Sequence, residues 1–127
     1  MIHVYNVYNE DHSSEDNCYY VGRSKYGNPL ANPFTYDGKR SSIAKLSFKT
    51  REEALKAYDL YFDRMYGKDE ELTNAFDEIY SHYKNGEEIY LGCFCKPLPC
   101  HADILAEKLQ QKLIKEKMAE FKEKNRR

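Results

Sequence analysis

The feature that most constrains the fold is a short apolar run, Glu88–Leu91, followed by the segment 92–103 and then by a long helical pattern. The β-branched and aromatic residues of the run favour a buried strand. Pro97 and Pro99 end that strand, and a helix is predicted to begin at or next to Cys100. Such a junction of strand and helix is typical of α/β proteins, which bind ligands there because the free N–H groups of a helix start attract anions.

Two further strands are predicted in the first part of the chain. Residues 2–8 are apolar on both faces, which is typical of a strand buried on two sides. Residues 18–21 form a shorter strand, which ends at Gly22. From there to Ser42 the sequence has no helical period, and an irregular stretch of this length in a small domain is usually functional or disordered. Its aromatic residues Tyr26, Phe34 and Tyr36 favour an ordered loop.

Two helices are predicted between this stretch and the buried strand. Thr50 and Glu53 have the spacing of a capping box, and Gly67 ends the first helix. Asp69 caps the second helix, which ends at residues 85–86. These two helices and the last one each carry an apolar stripe at helical spacing, so each has one face to bury.

The predicted order of elements is β-β-loop-α-α-β-α, without repeats or interdomain linkers. This order indicates a single α/β domain over residues 1–127, a small sandwich with a short, at least partly parallel sheet and about three helices. The charged helical pattern from about residue 115 is expected to extend beyond the core as a solvated tail.

Composition argues against some classes of function. Lys plus Arg number 20 and Asp plus Glu number 21, so no overall basic field attracts nucleic acid. This balance does not exclude a local basic patch. The sequence shows no secretory signal and no apolar run of membrane length, so we expect a cytoplasmic protein without membrane contact. In a reducing compartment the four cysteines are interpreted as thiols or ligands rather than disulfides.

Cys100, His101 and Asp103 stand at the start of the last helix and are the candidate catalytic residues. The free N–H groups of a helix start stabilise a thiolate, so Cys100 is a candidate nucleophile. In a binding site, Cys100 and His101 would instead line a pocket in which the protonated imidazole attracts an anion. The plainer interpretation is that Cys100 is a buried small residue and Asp103 a helix cap.

Cys93, Cys95, Cys100 and His101 are also four candidate zinc ligands within nine residues. Zinc ligands usually come as two pairs from separate segments, and adjacent side chains fit poorly into one tetrahedron. We therefore expect no metal and no cofactor. Cys93 and Cys95 are then expected to pack into the sheet, and a zinc-stabilised protein-interaction module remains an alternative.

Arg23, Asn28 and Asn32 are candidate ligand-binding residues near the second strand. Arg23 directly follows that strand, where its guanidinium can clamp a phosphate or a carboxylate. The two asparagine amides can bind a base or a sugar. The alternative is that both asparagines form turns, because each stands in a proline-rich loop.

A parallel sheet would bring the end of the second strand and the start of the last helix to the same rim. Arg23 and His101 would then converge on an anion pocket walled by tyrosines. Lys25 and Arg40 would add positive charge to this pocket.

Two motifs in this sequence resemble those of the domain-of-unknown-function 4326 family, which is common in phages and bacteria. Members carry V-G-R and then a loop that ends P-L-A-N-P-F, here Val21–Arg23 and Pro29–Phe34. They also carry G-C-W/F-C-x-P-x-P-C-H-x-D before a helix, here Gly92–Asp103, with Ala102 where members often have glycine. The resemblance covers most of the chain and implies a phage origin, but it implies no activity.

We expect the domain to bind a nucleotide-like or ADP-ribose-like small molecule, with Arg23 and the Cys100–His101 helix start on the phosphate. Asn28, Asn32 and a tyrosine would bind the base or the sugar. If the protein is phage-encoded, it would act in the host cell cytoplasm and sequester or process a nucleotide signal of host defence. One alternative is an enzyme that acts on a nucleotide or a glycosidic bond through Cys100, His101 or Asp103. The zinc-stabilised module is the other, and the ligand and the oligomeric state stay open.

Overall fold

A computed structural model describes residues 1–24, 27–36, 46–96 and 98–125 of the chain. Within these residues it contains three helices, a three-stranded sheet and a separate strand pair. The elements in chain order are β1 (Ile2–Asn6), β2 (Cys18–Tyr20), β3 (Phe34–Tyr36), β4 (Leu46–Phe48), α1 (Arg51–Met65), α2 (Glu70–Lys84), β5 (Ile89–Cys93) and α3 (His101–Lys124). The predicted small α/β fold with about three helices is confirmed.

The apolar run before the cysteine-rich segment forms β5, the central strand of the sheet. The strand order is β1-β5-β2, and both neighbours pair with β5 in the parallel direction. Ile89 and Leu91, which are two residues apart and therefore on the same face of the strand, are completely buried, whereas Tyr90 between them is half-buried. The carboxyl ends of β2 and β5 therefore lie side by side at one edge of the sheet.

The β3–β4 pair lies in and just after the stretch that the sequence predicted to be irregular. Its strands are parallel and only three residues long, so neither shows a recognisable period in the sequence. Residues 37–45 between them lie outside the described part of the chain.

The helices begin where the capping residues predicted. The Thr50 hydroxyl accepts a hydrogen bond from the backbone N–H of Glu53 at 3.1 Å, and α1 begins at the next residue. The Asp69 carboxylate accepts from the N–H of Leu72 at 3.0 Å and caps α2. Gly67 between these helices has φ +88°, a left-handed conformation that L side chains rarely adopt.

The core lies between the sheet and the helices: α2 and α3 contact the sheet, and α1 contacts α3 and the β3–β4 pair. Tyr58 of α1 is completely buried, and its hydroxyl donates to the carbonyl of Leu30 at 2.7 Å, which fastens the loop after β2 to the core. The buried members of the core are Val21, Leu30, Tyr58, Phe62, Leu72, Phe76, Ile79, Tyr80, Ile89, Leu91, Cys93, Cys100, Ala102, Leu105 and Leu109. Among the described helices, none combines the length and the apolar character needed to cross a membrane.

Candidate functional site

A cleft opens at the carboxyl ends of β2 and β5, where α1 and α3 begin. It encloses about 140 Å³, and about 620 Å³ when the space open to solvent is included. Its lining residues are Tyr20, Gly22, Arg23, Asn32, Phe34, Arg51, Ala54, Leu55, Phe94, Cys95, Cys100 and His101. The cleft is therefore at the junction of strand and helix where the sequence predicted a ligand site.

The charge of the cleft is positive. Arg23 and Arg51 line it, and no Asp or Glu is among the described residues that do so. Lys25 and Arg40, which were predicted to add positive charge, lie outside the described residues. Two guanidinium groups in a cleft whose described lining holds no carboxylate favour the binding of an anion.

Arg23 also fastens the loop that follows β2. Its Nη1 donates to the carbonyls of Asn32 at 3.2 Å and of Phe34 at 3.0 Å. The structure brings Arg23 and His101 to the same cleft, as a parallel sheet predicted. Arg23 thus combines a position at the cleft with a structural role.

Arg51 is a residue of the cleft that the sequence analysis missed. It is the first residue of α1, and its Nη1 donates to the carbonyl of Pro99 at 3.2 Å. Its side chain also hydrogen-bonds to the sulfur of Cys95. A cation in the first turn of a helix opposes the helix dipole. That unfavourable position is a sequence signal that can point to a functional arginine.

His101 is buried and neutral rather than protonated. The residue is 7 % exposed, and Nε2 lies 2.5 Å from the carbonyl oxygen of Val21, so Nε2–H donates and Nδ1 carries the lone pair. Burial, and to a lesser extent the positive charge of Arg23, lower the pKa of His101 to about 4, although the hydrogen bond to Val21 opposes them. The expectation that a protonated His101 attracts an anion is therefore wrong, because the fold removes the ring from water.

Cys100 and Asp103 cap the last helix. The Cys100 sulfur accepts from the N–H of Ala102 at 3.5 Å, and the Cys100 N–H donates to the Asp103 carboxylate at 3.1 Å. Lys96 also forms an ion pair with Asp103 at 2.7 Å. The plainer interpretation of both residues, a buried cysteine and a helix cap, describes this geometry.

The three cysteines of the motif influence one another's titration. Interaction with the sulfurs of Cys93 and Cys95 raises the pKa of the Cys100 thiol far above its ordinary value. The interaction with Cys100, together with the charges of Arg51 and Arg23, lowers the pKa of the Cys95 thiol to about 6 although burial opposes this. Interaction with Cys100 lowers the pKa of the completely buried Cys93 to about 6 as well. Cys95 is therefore the accessible one of the two acidic thiols, whereas the sequence placed reactivity at Cys100.

The four candidate zinc ligands, Cys93, Cys95, Cys100 and His101, do not present a set of free ligand atoms. The Cys93 thiol donates to the carbonyl of Tyr5 at 3.6 Å, and Nδ1 of His101 lies 3.6 Å from the Cys100 sulfur. In the described part of the chain, no three His, Cys, Asp or Glu side chains are arranged to hold a metal ion.

We expect the purified protein to lack stoichiometric zinc, because these groups already bond to one another and to backbone carbonyls. Elemental analysis of protein purified without chelator is the measurement. About one zinc per chain, lost on Cys95→Ser substitution, would contradict this expectation and favour the zinc-stabilised module.

The two asparagines form turns, as the alternative interpretation held. The Asn28 amide donates to the carbonyls of Tyr20 at 2.8 Å and Gly22 at 2.9 Å, and Asn28 lies at an adjoining cavity rather than at the cleft. The Asn32 side-chain oxygen accepts from the N–H of Phe34 at 3.0 Å, but Asn32 also lines the cleft. Of the two, only Asn32 is placed to contact a ligand in the cleft.

Three exposed aromatic rings form an aromatic shelf at the mouth of the cleft, namely Tyr8, Tyr20 and Phe94. The Phe94 ring centroid lies 4.7 Å from that of Tyr8 and 5.4 Å from that of Tyr20. The three residues are 80 %, 36 % and 46 % exposed, in sequence order. Asn6 holds this part of the chain in place, because its amide donates to the carbonyls of Phe94 at 3.2 Å and Lys96 at 2.9 Å. The sequence predicted tyrosines at the pocket but not the contribution of Phe94.

The chain matches a known protein family over most of its length. Residues 5–111 match the model of the family described as Domain of unknown function (DUF4326). No curated protein and no solved structure matches the chain. The matched range includes every described residue that lines the cleft.

Proposed function

The chain belongs to this family, whose function is unknown, and we propose from its site that it binds a nucleotide-like or ADP-ribose-like small molecule in the cleft. One observation carries the proposal. Two arginines line the cleft without a carboxylate among its described residues, and the aromatic shelf borders the same cleft. Phosphate and a planar base are the chemical groups that these two surfaces bind best.

The phosphate end of the ligand is assigned to Arg23 and Arg51. The two residues come from different elements, one following β2 and one opening α1, so the cleft holds positive charge on two sides. The amino-terminal ends of α1 and α3 add the positive end of two helix dipoles. Each charge-assisted hydrogen bond to a phosphate oxygen contributes roughly 1.5–3 kcal/mol to affinity.

The base or sugar end is assigned to the aromatic shelf and Asn32. Tyr20 and Phe94 belong to both the cleft and the shelf, so a ligand whose phosphate lies at the arginines reaches these rings directly. Stacking of a base on an aromatic ring contributes about 1–3 kcal/mol. Exposed aromatic rings are costly to leave in water, and a stacked base would cover them.

His101 acts here as a positioning residue rather than as a cation. Its hydrogen bond to the carbonyl of Val21 joins the start of α3 to the end of β2, and its ring packs edge-on against Tyr58 at 5.2 Å. The ring thereby fixes the distance between two walls of the cleft. In a phage, a protein that binds without turnover would sequester a nucleotide signal of the host, and that biology rests on the resemblance alone.

A panel of purified ligands tests the proposal by thermal shift and calorimetry. The panel holds adenosine, AMP, ADP, ADP-ribose, NAD, cyclic dinucleotides and inorganic pyrophosphate. We expect phosphorylated nucleosides to raise the melting temperature by several degrees at saturating concentration. Adenosine and pyrophosphate, which each supply one half of the recognised chemistry, should have smaller effects. Affinity should also fall as salt rises.

Two results would contradict the proposal. One is that no phosphorylated compound in the panel shifts the melting temperature, and the other is that adenosine shifts it as much as ADP.

The enzyme alternative is favoured by the acidic Cys95 thiol in the cleft. Recovery of the bound ligand unchanged supports a binding protein, whereas accumulation of a product supports the enzyme.

A further inference from the structure

A second chemistry resides in the thiols of the cleft. We propose that Cys95 is a site of oxidation by hydroperoxides, and that Cys100 converts the oxidised Cys95 into a Cys95–Cys100 disulfide. The proposal concerns the sulfur atoms and does not depend on whether a nucleotide binds. It assigns a modification site to a motif whose residues are otherwise explained only as caps and core.

Accessibility singles out Cys95 among the cysteines of the motif. Cys95 is half-buried and lines the cleft, so a small molecule in the cleft meets its sulfur. Cys93 is completely buried, and Cys100 is 1 % exposed. Cys18 is also half-buried, but it belongs to another strand, where it hydrogen-bonds to the Tyr5 hydroxyl at 2.9 Å.

The surroundings of Cys95 favour its anionic form. Cys100, the Arg51 guanidinium and the positive charge of Arg23 lower the pKa of the Cys95 thiol, although burial opposes them. Both arginines line the cleft beside Cys95, so its thiolate forms next to positive charge. The same two arginines would stabilise the negative charge that develops on the leaving oxygen of a peroxide.

The first step forms a sulfenic acid. The Cys95 thiolate attacks one oxygen of the hydroperoxide, a sulfur–oxygen bond forms, and the oxygen–oxygen bond breaks. The departing oxygen takes a proton and leaves as water or an alcohol. The sulfur is oxidised by two electrons, and the peroxide is reduced by two.

The second step uses the position of Cys100. Its sulfur attacks the Cys95 sulfur, the sulfur–sulfur bond forms, and the hydroxyl of the sulfenic acid leaves as water with the Cys100 proton. The chain already turns back between the two cysteines, because the N–H of Leu98 donates to the Cys95 carbonyl at 2.9 Å.

The disulfide would alter the cleft as well as the sulfurs. It would withdraw the Cys100 sulfur from the N–H of Ala102, which lies 3.5 Å away, and so weaken the cap of α3. Cys95 and Cys100 are both wall residues of the cleft, so the bond would reshape that wall.

The test is peptide mapping of the full chain after mild oxidation. Fully reduced protein is treated with one equivalent of hydrogen peroxide, remaining thiols are alkylated, and the digest is analysed without reduction. We expect a peptide with a Cys95–Cys100 disulfide, whose mass is lower than that of the reduced peptide by two hydrogen atoms. Dithiothreitol should restore the reduced mass. Oxidation of Cys18 ahead of Cys95, a linkage that excludes Cys95, or no oxidation of Cys95 would overturn the proposal.

Two variants sharpen the test. In Cys100→Ser the reaction should stop at the sulfenic acid, which dimedone traps on residue 95. Cys18→Ser is the matched control, since it removes the other half-buried cysteine and should leave the Cys95–Cys100 linkage unchanged. A dimedone adduct on residue 95 in wild-type protein as abundant as in Cys100→Ser would overturn the role of Cys100.

Discussion

Arg51→Gln should lower the affinity of the protein for ADP about ten- to a hundredfold and leave its melting temperature nearly unchanged. The affinity falls because one charge-assisted contact to phosphate, roughly 1.5–3 kcal/mol, is lost. The effect on stability is small because two contributions oppose one another. The substitution removes the hydrogen bond to the Pro99 carbonyl, but it also removes a cation from the first turn of α1. Calorimetric titration and thermal unfolding measure the two quantities separately.

Arg64→Gln is the matched control for this substitution. Arg64 is an exposed arginine in the last turn of the same helix and does not line the cleft. The two variants lose the same charge from opposite ends of the same helix, and only Arg51 lines the proposed phosphate site. Equal affinities of the two variants for ADP would show that Arg51 does not contact the phosphate.

Arg23 is a less clean test of binding than the sequence suggested. From the sequence, Arg23 is an exposed arginine after a strand, whose loss would affect the ligand alone. In the structure its Nη1 donates to the carbonyls of Asn32 and Phe34, so Arg23→Ala also releases the loop that forms one wall of the cleft. A loss of binding in Arg23→Ala therefore has two explanations. Arg51 also donates to a backbone carbonyl, so a loss in Arg51→Gln is assigned to the ligand only if the melting temperature stays nearly unchanged.

The parts of the fold that were predictable are those encoded locally. Thr50 and Asp69 identify helix starts because a cap acts on backbone groups two or three residues away. The buried strand Ile89–Cys93 was predictable because a continuous apolar run before a helix fits a central parallel strand. The strands of the β3–β4 pair were missed because three residues carry no period, and their pairing depends on chain contacts that are distant in sequence.

The candidate site was predictable in position but not in detail. The topology of parallel strands placed Arg23 and the start of α3 at one rim, and the structure brings them together. The state of His101 was not predictable, because its burial arises from the packing of α3 against β2 and α1. Arg51 was missed because α1 lies between the two motif segments and belongs to neither. Only the fold brings its first residue to the cleft.

The stability of the fold should depend on pH through His101, with a loss of about 3 kcal/mol as the pH falls from about 6.5 to about 4. The pKa of this ring is about 6.5 when it is exposed in the unfolded chain and about 4 in the fold. Between these values the unfolded chain binds a proton that the folded protein does not bind. The stabilisation is therefore complete above pH 6.5 and is lost as the pH falls through about 4.

His101→Gln isolates this contribution, since a glutamine amide can still donate to the Val21 carbonyl but does not titrate. Urea unfolding of both proteins between pH 4 and pH 7 should show that the free energy of unfolding depends less on pH in the variant. Subtracting one pH profile from the other removes the contribution of the carboxylates, which titrate in both proteins. An equal dependence of stability on pH in the two proteins would mean that His101 takes up its proton as readily in the folded protein as in the unfolded chain. Because His101 is neutral throughout the range from pH 6 to pH 8, its titration should not weaken the binding of ADP to the wild-type protein as the pH rises through that range. The positive charge that attracts the ligand then comes from the arginines, which keep their protons throughout this range.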